Sequence, residues 1–258
     1  MNLKSKLEYH YKAFDRTKIS PDPLQFLHLY SNEKDIELIG LIVSVFSYGN
    51  ITQIISTLKK VVSIIGDKPN EYIGNINSDK EGRKLVGLKH RFYTDDDIVD
   101  LFQLLSFAIH KYGRVKNIFL SGYSEKHNNI KEGLSNFSEL LLDLHPEIAK
   151  KPSRGIKFMF PDPSKGSACK RMNLFLRWMV RKDELDFGLW PEIPPKKLII
   201  PVDTHIARIC KSLKLTRLSI VNWKMAEEIT ENLKAYDQDD PVKYDFALCH
   251  IGMRKLRF

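Results

Sequence analysis

Asp203 stands in the string Pro201-Val202-Asp203-Thr204-His205-Ile206-Ala207-Arg208, directly ahead of a run in which Ile206, Ile209, Cys210 and Leu213 share a helical face. An aspartate there is a helix N-cap, and bonding to the first backbone N–H groups favours its charged form. A permanently ionised carboxylate at the floor of a cleft can stabilise an oxocarbenium-like cation, such as a sugar losing its base. Upstream, Gly166-Ser167-Ala168-Cys169-Lys170-Arg171 opens another helical run. A lysine in a first helical turn is electrostatically misplaced, because that end is already positive. The misplacement favours the neutral amine that nucleophilic attack requires. Each residue also has a plainer role, Asp203 as a cap and Lys170 as a solvated surface charge.

The elements that must position these groups are helical. Ile36, Ile39, Ile42, Val43 and Phe46 recur at helical spacing, and Leu38, Leu41 and Val45 widen the face, so this helix is expected to be buried on most sides. Gly49 is expected to C-cap it and Asn50 to N-cap the next, which carries Ile51, Ile54, Ile55, Leu58, Val61 and Val62. Thr94 followed by Asp95-Asp96-Asp97 is a helix start, and Gly113 closes that helix. Residues 150–167, rich in Pro, Gly, Ser and Lys, read as an irregular connection. A helix from Ala168 to Arg181 follows, with Trp178 in its core, and then a second irregular stretch over 182–200. Further helices are expected from Thr204 to Leu213, after Asn222 and from Asp240-Pro241. Leu198-Ile199-Ile200 is a short strand-like piece in a chain that otherwise reads as all-α.

Composition excludes several classes. The chain has 258 residues, 43% hydrophobic and 28% charged, as in an ordinary globular protein. The longest apolar run, Ile36 to Phe46, is broken by Glu37, Gly40 and Ser44 and is too short to span a membrane, and the N-terminus has no signal-like core. A cytoplasmic location is expected. Cys169, Cys210 and Cys249 are too few and too scattered for a disulfide framework, a four-cysteine iron–sulfur cluster or a zinc site. No metal or cofactor is expected. Residues 151–258 hold 21 Lys and Arg against 13 Asp and Glu, an excess of eight, whereas 1–150 hold 20 against 19, an excess of one. Such a basic half fits a polyanionic partner, and equally a lysine-rich soluble surface.

The pattern from Gly166 through Lys170 and Met172-Asn173-Leu174-Phe175-Leu176 to Ile199-Ile200-Pro201-Val202-Asp203-Thr204-His205 resembles the helix-hairpin-helix DNA glycosylase superfamily. There a glycine-rich hairpin leads into a helix beginning with lysine, and an aspartate motif follows. Lys243-Tyr244-Asp245-Phe246-Ala247-Leu248-Cys249-His250-Ile251-Gly252 resembles the late helix of these proteins, and Leu38 to Asn50 their early buried helix and DNA-probing loop. The whole chain is similar to a bacterial branch of the superfamily known only as a domain of unknown function. The hairpin from Phe160 to Gly166 departs from the pattern in lacking Gly-x-Gly. The spacing of 33 residues from Lys170 to Asp203 is longer than in most members and resembles the archaeal 8-oxoguanine glycosylases.

The resemblance implies an all-α, two-lobed fold with a cleft between lobes. A central lobe is expected over 33–181, a second lobe from 1–32 with 200–258, and an irregular insertion at 182–199. It implies a monomeric DNA-repair enzyme acting on damaged or distorted double-stranded DNA. Such an enzyme excises a base, with oxidised purine the suggested substrate, and cleaves the strand as an AP lyase through a lysine Schiff base. Lys170 is then the nucleophile and Asp203 the essential carboxylate. Tyr48, Gly49 and Asn50 lie near the flipped base, with Trp190 as a base-reaching aromatic in the insertion. Lys165, Gly166, Arg171 and Arg208 contact the DNA backbone. Two rival readings are a non-catalytic protein of the same fold that binds distorted nucleic acid, and a protein–protein scaffold with an incidental basic half.

Overall fold

The structure is a computed structural model that describes residues 2–76, 84–85 and 87–253, the side chains of 250–253 excepted. In chain order its α-helices are α1 (Leu3–Lys12), α2 (Glu33–Phe46), α3 (Ile51–Ile65), α4 (Pro69–Gly74), α5 (Asp95–Tyr112), α6 (Val115–Ser121), α7 (Lys131–Asp143), α8 (Pro146–Lys150), α9 (Arg154–Met159), α10 (Lys170–Val180), α11 (Thr204–Ser212), α12 (Trp223–Lys234) and α13 (Asp245–Met253). Short 3-10 turns punctuate them. Among the described residues there is no strand, only the isolated bridges His90–Tyr93 and Lys182–Phe187. The fold is all-α. Leu198-Ile199-Ile200 is buried yet unpaired as a strand, and the Ile200 N–H donates to the Thr230 hydroxyl at 3.0 Å.

The chain divides into two compact units. One joins Met1–Ser20, Glu125–Lys131 and Asp162–Phe258, and the other joins Pro21–Ser124 with Glu132–Pro161. This division differs from the expected lobes. Helix α10 and the stretch after it belong with the C-terminal residues, for reasons of hydrogen bonding. Phe187 N–H donates to Trp178 O and Trp190 N–H to Met179 O, each at 2.9 Å, so the connection folds back on the helix it follows.

In the unit built from Pro21–Ser124 and Glu132–Pro161, α2 is the central helix, with every residue from Ile36 to Phe46 buried. Its one buried charge, Glu37, accepts from Arg114 Nη2 at 2.5 Å, which satisfies a carboxylate that burial would otherwise penalise. Asn50 caps α3 by accepting from Thr52 N at 2.9 Å. Ser47, not Gly49, is the C-cap of α2, and Gly49 lies beyond the helix at φ +111°. Helix α5 starts on a capping box, with Thr94 accepting from Asp97 N–H and Asp97 accepting from Thr94 N–H. The stretch 150–167 is more regular than its composition implies, since Ser153 caps α9 by accepting from Ile156 N–H at 3.0 Å. Ser153 also donates to the buried Asp97, tying α9 to the start of α5. Gly155 is required at this junction, because a Cβ there would sit 2.3 Å from the Asp97 carboxyl carbon.

The other unit holds all three tryptophans, Trp178, Trp190 and Trp223, each buried. Its core includes Leu7 of α1, Met172, Phe175 and Met179 of α10, Ile206 and Cys210 of α11, and Ile229 and Leu233 of α12. The connecting segment 125–131 is held to it by Ile130 N–H on Lys197 O at 3.2 Å and by the Lys197 ammonium on the Glu125 and His127 carbonyls. Pro241 opens a 3-10 turn over Pro241–Tyr244, and the α-helix expected there begins at Asp245.

Candidate functional site

Asp203 is extended at φ −118° and caps α11. Its Oδ1 accepts from both His205 N at 2.9 Å and Ile206 N at 3.0 Å. One oxygen thus makes both cap bonds, and Oδ2 has no partner among the described residues. The side chain is half-buried. A carboxylate in this state is anchored and oriented by the helix end while retaining an acceptor for another group.

Lys170 is the first residue of α10. The preceding Cys169 is the N-cap, takes a left-handed φ of +47° and supplies no side-chain cap, so the helix starts without a capping oxygen and with a lysine as its first residue. Lys170 is half-buried and makes no ion pair with a described carboxylate. Burial pushes the neighbouring Cys169 thiol up to about 12. Among the two adjacent nucleophile types, this disfavours the sulfur.

Asp245 connects these groups electrostatically. It opens α13, it is buried, and its carboxylate accepts from Arg177 Nη1 at 2.5 Å. Burial raises its pKa, Arg177 and then Lys170 pull it down by their charge, and Asp203 pushes it up. The charges of Lys170 and Asp203 therefore both reach the same buried carboxylate. Periodicity explains part of this, because Arg177 is two helical turns beyond Lys170 and shares its face of α10. Arg177 also bonds Asp186 at 3.3 Å, and Arg181, one turn further, bonds Asp186, Asp183 and Asp240. Burial pushes Asp186 up to about 6 against the downward pull of both arginines. The two arginines in direct contact hold back that rise, without cancelling it.

The expected site residues fare unequally. Lys165 is highly exposed beside Asp162 at 3.5 Å, and Gly166 closes a 3-10 turn at φ +86°. The Gly166 carbonyl accepts from Trp223 N–H at 3.1 Å, so one face of the hairpin is occupied by the start of α12. Arg208 is exposed, 3.3 Å from the His205 ring. Two expectations need correction. Arg171 is only 6% exposed, so it is not a surface backbone contact. Trp190 is fully buried, edge-on to Phe175 with ring centroids 5.3 Å apart, and presents no face for a base. Its burial follows from the fold-back of 187–190 on α10. Arg177, on the same helix as Arg171, is buried and ion-paired with Asp245. Tyr48, Gly49 and Asn50 belong to the unit that does not contain Lys170 and Asp203. The His250 side chain lies outside the described residues.

Asp245, Asp186 and Arg181 escape sequence reading as functional neighbours. Their signal is present but weak, an Arg pair at helical i,i+4 spacing followed by Asp183 and Asp186. Among the described residues no three His, Cys, Asp or Glu side chains stand together as metal ligands, and no helix is long and apolar enough to cross a membrane.

The fold and these residues define an all-helical protein with a capped carboxylate, a helix-start lysine and a buried acid that feels the charge of both. The chain belongs to the DUF2400 family, described as "Protein of unknown function", whose model matches residues 22–254. No curated protein and no solved structure matches it.

Proposed function

We propose that this protein is a DNA repair glycosylase-like enzyme that excises a damaged base and cleaves the strand as an AP lyase. The observation that carries the reading is that Asp203, with one oxygen capping α11 and the other without a partner among the described residues, and Lys170, without an ion pair to a described carboxylate, both bear by their charge on buried Asp245. The resemblance of the Lys170 and Asp203 segments to helix-hairpin-helix glycosylases supports it. In this mechanism the N-glycosidic bond breaks, and its electron pair leaves with the base, which takes up a proton. Asp203 stabilises the positive charge that develops on the sugar. The free amine of Lys170 attacks the anomeric carbon through Nζ and gives up one proton. The C1′–O4′ bond then breaks with O4′ taking a proton, and the product is a protonated Schiff base whose C2′ proton is lost in the next step. β-Elimination of the 3′-phosphate then cuts the strand. Flipping the base from the duplex costs a few kcal/mol, least for a damaged one, and oxidised purines are the first substrates to offer.

Asp203→Asn tests the carboxylate with the fold held constant, because Asn caps a helix about as well as Asp. Base release should fall at least a hundredfold, and full release by this variant would end the mechanism. Borohydride should trap a covalent protein–DNA adduct that disappears in Lys170→Met. Occupation of the Gly166 carbonyl by Trp223 favours a second reading, in which the same fold binds distorted DNA without catalysis. That reading expects structure-selective, salt-dependent binding with no base release from any lesion.

A further inference from the structure

The connection between α11 and α12 presents an apolar tip among unpaired cations. Ile220 is 69% exposed and Leu218 39%, in a segment Arg217-Leu218-Ser219-Ile220 of which every residue is exposed. Lys211 and Lys214 precede it and Lys224 follows it, all three exposed as well. None of these four basic side chains pairs with a carboxylate among the described residues. The acids of α12 are engaged elsewhere. Glu227 accepts from Asn129 at 3.0 Å, Glu228 from Thr216, and Glu231 from Lys234 at 2.6 Å.

The tip is held at both ends. Lys214 follows α11 in a left-handed conformation at φ +59°, and Leu215 N–H reaches back to Cys210 O at 2.8 Å, a helix stop that buries Leu215. Glu228 accepts from the Thr216 hydroxyl and from Arg217 N–H, and Leu218 N–H donates to the Thr216 oxygen at 3.1 Å. Asn232 Nδ2 donates to the Leu215 carbonyl at 2.9 Å. Past the tip, Asn222 caps α12 and Trp223 is buried. None of these bonds uses the Leu218 or Ile220 side chain. The tip is also remote from Asp203, which caps the opposite end of α11, about 14 Å away along the helix axis.

We propose that this tip docks the protein on an anionic phospholipid surface. Leu218 and Ile220 enter the boundary between headgroups and acyl chains, and the four basic side chains meet the anionic headgroups. Each cation near such a surface strengthens binding roughly fivefold. A DNA duplex would also attract the cations, but its bases must be unstacked before an aliphatic side chain can enter. Neither residue offers a π face to an unpaired base. A bilayer interface admits both side chains without that cost. The docking surface does not depend on the proposed excision chemistry.

The test uses the full chain in flotation with vesicles of mixed phosphatidylcholine and phosphatidylserine, and with vesicles of phosphatidylcholine alone. Binding should require phosphatidylserine and weaken with salt. Leu218→Ser combined with Ile220→Ser should weaken it on the order of tenfold with unchanged helix content. Arg217→Gln and Lys224→Gln should each weaken it about fivefold. In a Cys249→Ser background, an environment-sensitive fluorophore on Ile220→Cys should shift its emission to the blue on phosphatidylserine vesicles. No binding to these vesicles at low salt, binding by the double serine variant within about twofold of the parent, or an emission that does not move would each overturn the proposal. Duplex DNA binding that weakens in the double variant, with no binding to vesicles, would overturn it in favour of a nucleic-acid contact. Base release by the double variant should equal the parent's, so failure of the docking surface and failure of the excision chemistry are read separately.

Discussion

Replacing Arg177 by Met removes the cation from Asp245 while keeping much of the side-chain volume. Arg177 and its partners are buried, with side-chain exposure of 3% for Arg177, 4% for Asp245 and 1% for Asp186. Asp186 retains Arg181 and Asp245 retains no direct cation. Burial then raises the Asp245 pKa further, opposed only by the charge of Lys170, so the folded variant favours the neutral acid. A raised folded pKa costs nothing below the unfolded value of about 3.9 and about 1.4 kcal/mol for each pH unit above it, until the pH reaches the raised value. The cost is therefore up to about 4 kcal/mol near pH 7 and about 1.5 kcal/mol near pH 5. The neutral-pH figure agrees with the roughly 3–5 kcal/mol lost when one partner of a buried ion pair is removed. Tryptophan fluorescence during urea unfolding is the assay, because all three tryptophans lie in the same unit as this ion pair. Arg177→Met combined with Asp245→Asn should recover most of the loss and abolish its pH dependence. A loss below about 1 kcal/mol near pH 7, or an equal loss near pH 5, would refute the assignment of Asp245 as a buried charge neutralised by Arg177.

Other outcomes follow from single contacts. Gly155→Ala should destabilise its unit by roughly 1–3 kcal/mol, read as an earlier loss of far-ultraviolet helix signal, because the new methyl meets a carboxyl fixed by Thr94 and Ser153. Asp203→Ala should cost about 1 kcal/mol in urea unfolding and Asp203→Asn only a few tenths, the difference reporting the cap alone. Burial pushes Cys169 and Cys210 up to about 12, so both thiols stay protonated at neutral pH, whereas Cys249 is half-buried. Iodoacetamide should label Cys249 first in the native protein, and faster labelling of Cys169 would contradict its burial.

The helices and their ends were legible in the sequence wherever the cause is local. Asn50, Thr94, Asp203 and Asn222 each cap the helix that follows, because capping needs only an oxygen two or three residues from free N–H groups. The burial of α2 and of Trp178 followed from apolar periodicity alone. Lys170 at the start of α10 was legible for the same reason. Helix α9 was not, since its stability comes from Asp97, 56 residues away, and composition around Gly155 argued for a loop.

An all-helical chain, a capped carboxylate and a helix-start lysine can all be read from residue order, because these depend on contacts within one turn. Which charges are internal is settled by the packing of the helices. It buried Arg171, Arg177 and Trp190, kept Lys165 and Arg208 at the surface, and placed Asp245 where Lys170 and Asp203 both act on it. A side chain's type states what it can bond. Whether it meets water or an aspartate 68 residues away, as Arg177 does, depends on packing between elements that no local pattern encodes.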